Sequence, residues 1–87
     1  MSSPIPVEAW IRGRFVALPG ATVTDGPANV RMVRLPRTPE MARLLRVPDV
    51  SVDHLQAALV LTLDGSECAQ AVVTAENVDY VEVTALV

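Results

Sequence analysis

The sequence contains no lysine, one cysteine, one histidine, and one each of tryptophan, tyrosine and phenylalanine. Each shortage excludes something. A lone cysteine, Cys68, rules out an internal disulfide, and no Cys/His spacing of the zinc type is present, so a reducing compartment is expected. Groups that transfer protons or attack electrophiles are correspondingly scarce. The chain has no glycine-rich phosphate loop, no paired-carboxylate motif and no serine elbow. Its longest wholly apolar run, residues 57 to 61, falls far below the roughly 20 residues that span a bilayer. The lead-in Met1-Ser2-Ser3-Pro4-Ile5-Pro6 shows neither the basic nor the apolar part of a leader. These absences describe a soluble non-enzyme with no cofactor, placed in the cytoplasm or in a particle assembled there.

Two constellations bear on catalysis or metal binding. Cys68 and His54 would form a nucleophilic dyad only within hydrogen-bond reach, and the strand register argued below keeps them apart. Asp49, Asp53 and His54 are close in sequence, but their spacing is that of an ordinary solvated loop, so no metal site is expected.

What is present is apolar and unevenly charged. The 87 residues are 51% apolar, enough for one small core. All seven basic residues are arginine, which reads as the signature of a GC-rich genome. Residues 1 to 47 hold all seven against Glu8, Asp25 and Glu40, while residues 48 to 87 hold seven acids and no base, giving halves of about +4 and −7. Either the halves pair internally, where exposed ion pairs contribute only ~0 to 1 kcal/mol, or a basic and an acidic face survive. The second arrangement suits head-to-tail contacts between copies.

Residues 1 to 6 read as an extended arm and residues 7 to 87 as a single β domain. From residue 7 to 18, Val7, Ala9, Ile11, Phe15 and Ala17 alternate with Glu8, Trp10, Arg12 and Arg14, which predicts one strand with a bulge or bend at Gly13. A short strand over 21 to 24 follows, then a turn at Asp25-Gly26-Pro27. The next strand, 28 to 35, alternates imperfectly, which predicts a bulge near Met32. Thr38-Pro39-Glu40 predicts a helix start: a capping hydroxyl, a proline where no donor is missed, and a carboxylate at the positive end of the dipole. Met41, Leu44 and Leu45 give that helix, near 39 to 47, an apolar side, with Arg43 and Arg46 on its wet side. Residues 52 to 60 fit two readings, a helix capped by Ser51 or a strand alternating from Leu55 to Leu63.

A hairpin follows. Matching the odd-numbered apolar faces of its two strands requires a three-residue loop, Leu63-Asp64-Gly65, with Thr62 opposite Ser66, Leu61 opposite Glu67, Leu59 opposite Ala69, Ala57 opposite Ala71 and Leu55 opposite Val73. In the final strand Val81, Val83 and Ala85 share one face, and Tyr80, Glu82 and Thr84 the other. The run Asn77-Val78-Asp79-Tyr80-Val81-Glu82-Val83 resembles the close of Src-homology-three-like small β-barrels, where a one-turn helix leads into the last strand. The resemblance implies a barrel. It carries over no ligand-binding residue, because the aromatic-rich first loop and paired tryptophans of the peptide-binding members are missing.

The expected fold is therefore mainly β: a small antiparallel barrel or sandwich of five to six strands with one short helix near 39 to 47. Trp10, Arg12 and Arg14, of one parity, form the wet-face cluster that most needs a reason. With Arg43, Arg46, Tyr80 and Glu82 they are the interface candidates. A pI of about 4.9 and three aromatics argue against a general nucleic-acid binder. The expected function is a structural or assembly subunit whose partners are proteins, itself or a larger assembly, with no membrane and no small-molecule substrate. Size and composition are similar to those of decoration or connector components of phage particles. The alternatives are a regulatory or inhibitory module acting on a host protein, and a small nucleic-acid-binding barrel.

Overall fold

The computed structural model describes residues 5–55 and 59–87. Two left-handed turns shape the first sheet. Arg12 and Gly13 both lie at positive φ, 49° and 89°, and so do Asp64 and Gly65, at 54° and 82°. Positive φ at both central residues is the requirement of the tight two-residue hairpin whose twist matches its strands. The first pair joins β1 (Val7–Ile11) to β2 (Arg14–Ala17), and the second joins β5 (Leu61–Leu63) to β6 (Ser66–Glu67). These strands form an antiparallel sheet in the order β2-β1-β5-β6.

Residues 7 to 18 are thus a hairpin and not one bent strand: Gly13 turns the chain fully, placing Ile11 opposite Arg14 and Trp10 opposite Phe15. The second hairpin also departs from the expected register. Its loop is two residues, with Leu63 opposite Ser66 and Thr62 opposite Glu67. The apolar face does not continue straight from β6, so the odd-numbered positions of the two strands do not oppose each other. Cys68 is buried against Leu61, whose carbonyl accepts its N–H at 2.9 Å, whereas Ala69 and Gln70 are exposed and Ala71 is buried again. The phase of burial changes there because the chain crosses from one sheet to the other. Leu59 donates to the Ala71 carbonyl at 2.8 Å, so its partner is not Ala69. The expected pairing of Ala57 lies outside the described residues.

The second sheet contains β3 (Thr22–Asp25), β4 (Val30–Pro36), β7 (Gln70–Glu76) and β8 (Tyr80–Leu86), in the antiparallel order β3-β4-β8-β7. No bulge interrupts β4. It pairs without a break from Val30 to Pro36, with Val33 and Leu35 buried and Met32 on the outer face, where the Thr84 hydroxyl lies 3.8 Å from its sulfur. The irregularity lies in β7 instead, between Val73 and Ala75. β8 alternates as expected, with Val81, Val83 and Ala85 fully buried. A bend at Val78 and Asp79, and no helical turn, leads into it.

The expected helix is α1 (Pro39–Leu45), two residues shorter than the sequence suggested. The Thr38 hydroxyl accepts the Met41 N–H at 3.1 Å, Pro39 opens the first turn, and Arg46 ends the helix at φ 59°. Met41 and Ala42 join Val7, Ala9, Leu61 and Leu63 of one sheet and Val33, Leu35, Val81 and Val83 of the other in a single buried cluster. The fold is mainly β: among the described residues, eight short strands form two antiparallel sheets over one core, with no closed barrel. Residues 51 to 55 make one turn, in which Leu55 donates to the Ser51 carbonyl at 2.9 Å. The remainder of the helix-or-strand alternative falls on residues 56 to 58, outside the described residues, and regular strand begins only at Leu61. Among the described residues, no helix is long and apolar enough to cross a membrane.

Charge pairing joins the two halves of the chain around Arg37. Its guanidinium meets Asp49 at 2.9 Å and Glu76 at 3.4 Å, and donates to the Asn77 carbonyl at 2.8 Å. These contacts tie the loop after α1 to the β7–β8 turn. Arg37→Ala is expected to lower unfolding free energy by about 1–3 kcal/mol, since it removes charge-assisted bonds at a largely covered side chain. Arg37→Lys should recover little of this in urea denaturation, because an ammonium cannot reproduce the planar fork.

Candidate functional site

A cleft opens where the β1–β2 hairpin, the C-terminal end of α1 and the 51–55 turn converge. It encloses about 520 Å³. Ala9, Ile11, Leu45, Val47, Leu55 and Leu59 supply its apolar surface, and Trp10, Arg12, Arg46 and His54 its polar lining. The hairpin turn places Arg12, the end of α1 places Arg46, and β1 places Trp10, so residues 34 positions apart in sequence border one space.

Both cleft arginines have left-handed backbones, at φ 49° for Arg12 and 59° for Arg46. Glycine and asparagine adopt that region at less cost. Strained non-glycine residues tend to cluster where a side chain has a task. Neither arginine makes an ion pair among the described residues, and the same holds for Arg14 and Arg43. Arg31, Arg34 and Arg37 are the ones engaged. The unpaired cations belong to the hairpin and the helix that border the cleft.

Trp10 is 51% exposed. Its ring stands edge-on to Phe15, with centroids 5.0 Å apart, and its backbone N–H donates to the Val60 carbonyl at 2.9 Å. Phe15, Trp10 and Val60 therefore form an apolar row across three chain segments on the outer face of the first sheet, in which Trp10 and Val60 are exposed. In the adjacent row Ala17 is followed by the polar Glu8, Thr62 and Glu67, with the Thr62 hydroxyl donating to Glu8 at 3.3 Å.

The candidates separate into three groups. Trp10, Arg12 and Arg46 come together at the cleft. Arg14 does not share the Trp10 face, because it opposes Ile11 across the hairpin, one step out of phase with Trp10. Arg43 is exposed on α1 and does not line the cleft. Tyr80 and Glu82 are partners within the chain: Arg34 stacks 4.5 Å above the Tyr80 ring and lies 3.6 Å from the Glu82 carboxylate. The sequence reading weighed His54 only with Cys68 or with Asp49 and Asp53, and missed the apolar lining of Leu45, Val47, Leu55, Leu59 and Val60, since nothing local signals that the helix end faces the hairpin.

The chemical inventory at the cleft is narrow. His54 stands on the cleft wall, and its Nδ1 lies 2.8 Å from the Ser51 hydroxyl. Asp49 is held by Arg37, and among the described residues no three His, Cys, Asp or Glu side chains are grouped as metal ligands. Cys68 is buried against Leu61, not opposite Val60 as the expected register had it. Desolvation raises its thiol pKa, with the neighbouring Glu67 carboxylate adding to the effect. The fold thus favours the neutral thiol. That contribution is complete below the thiol's ordinary value of 9.0 and is lost as pH rises through the elevated value. At neutral pH a disulfide reagent is expected to label Cys68 at least about tenfold more slowly in the folded chain than in urea.

Comparison with protein-family models, with curated proteins and with solved structures finds no match to this chain.

Proposed function

We propose that this protein is a non-enzymatic assembly subunit that makes protein–protein contacts through the cleft and the apolar row beside it. The observation that carries this reading is the cleft itself: an apolar floor, a half-exposed tryptophan, and two arginines without ion-pair partners among the described residues. Trp and Arg are the residues most often found to dominate binding energy at protein interfaces. An apolar side chain flanked by carboxylates fits such a surface, its apolar part on Leu45, Val47 and Leu55 and its acids against Arg12 and Arg46. The similarity in size and composition to accessory subunits of phage particles accords with this reading.

The test is light scattering of the full chain over a concentration series, beside the double variant Arg12→Asn/Arg46→Asn. Asparagine tolerates the left-handed backbone at both positions, so stability should hold or rise by about 0.5 kcal/mol while the charges are lost. Mass that grows with concentration in the native chain and much less in the double variant is the expected result. A chain monomeric at every concentration would refute self-assembly. A base stacked on Trp10 with its phosphate on Arg12 would instead give salt-sensitive oligonucleotide binding, lost in the same double variant.

A further inference from the structure

We infer that the group received by the cleft is the β7–β8 turn of a second copy of this chain, with Val78 as the inserted side chain; this rests on the assembly reading above. Val78 is 86% exposed, the most exposed of the large apolar residues described. It stands between Glu76 and Asp79, whose signs oppose those of Arg12 and Arg46. Glu76 shares Arg37, whereas the Asp79 carboxylate has no ion-pair partner among the described residues.

The turn is held in shape. The Asn77 N–H donates to the Tyr80 carbonyl at 2.8 Å, and the Asn77 side-chain oxygen accepts the Asp79 N–H at 3.3 Å. Arg37 braces it from below, its backbone N–H on the Asp79 carbonyl at 2.9 Å and its guanidinium on the Asn77 carbonyl at 2.8 Å. A turn presented this way loses little freedom on docking.

Geometry makes the contact head-to-tail. The turn closes the second sheet beside Gly20, Thr22 and Pro36, and none of the residues around it lines the cleft. Each copy would therefore offer one knob and one socket built from different residues, and contacts made one at a time between them produce rings or open chains. A contact centred on one turn is of the small interface class, below about 1,200 Å², so the association should be weak and favoured by high local concentration. Salt should weaken it further, because both charge sets are exposed.

Complementation tests this. Val78→Asp removes the knob at an exposed position, and Arg12→Asn/Arg46→Asn disables the socket; circular dichroism should show both folded. In sedimentation velocity each variant alone should associate at least about tenfold more weakly than the native chain. Mixed in equal amounts, they should form a 1:1 dimer that does not grow, because one intact knob meets one intact socket. A mixture that behaves as the two variants do separately overturns the inference. So does a Val78→Asp chain that associates like the native protein while the arginine variant does not. In that case the cleft remains an assembly site with a different occupant. A native chain that never associates removes both readings.

Discussion

Leu35→Ala is expected to lower the free energy of unfolding by about 2–5 kcal/mol, the range for removing most of a buried leucine and leaving a cavity. Leu35 has no exposed surface. It lies on β4 between β3 and β8, opposite the equally buried Val81. A chain of this size has only about 4–13 kcal/mol of stability in total, so the variant should be partly unfolded in moderate urea. Met32→Ala, three residues earlier on the outer face, should cost less than about 1.5 kcal/mol. The contrast tests the uninterrupted register of β4. A bulge at Met32 would turn its side chain toward the core and bring the two losses together.

Trp10→Ala carries the largest expected effect on association. A tryptophan at an interface centre contributes about 2 kcal/mol or more, some thirtyfold in dissociation constant. Its effect on folding should be far smaller, because half of the residue is already in water and its one ring partner is Phe15. Sedimentation equilibrium beside urea denaturation separates the two quantities. Equal losses in both would make Trp10 a structural residue only.

Much of the fold was legible where the signal is local. Thr38, Pro39 and Glu40 announce the helix because cap, ring and charge act within one turn. The alternation of Val81, Val83 and Ala85 is undisturbed because β8 is a central strand whose register nothing interrupts. The hairpin at Arg12-Gly13 was hidden because arginine at positive φ bears no resemblance to the asparagine or aspartate usual there, so Gly13 looked like a bend in one strand. At Asp64-Gly65 the turn chemistry was readable. The register was misread because the parity rule holds along a continuous face, and this chain changes sheets between Cys68 and Ala71.

The candidate site was legible only in part, for a related reason. Trp10 and Arg12 stand out as polar-face residues in an apolar run, and Arg46 as a cation at a helix end. Their meeting depends on how α1 packs across the sheets, and no spacing in the sequence encodes that. Tyr80 and Glu82 looked available because Arg34, their partner, lies on another strand.

The single tryptophan makes coverage of the cleft directly measurable, since Trp10 lines the cleft and no other indole contributes to the signal. Acrylamide quenching of its emission, followed as the concentration of the full chain is raised, reports whether the cleft becomes covered. The expected result is progressive protection with a shift to shorter wavelength, reversed by salt and absent in Arg12→Asn/Arg46→Asn. Quenching that stays constant while scattering shows the chain to associate would place the contact elsewhere and rule out the cleft as the assembly site.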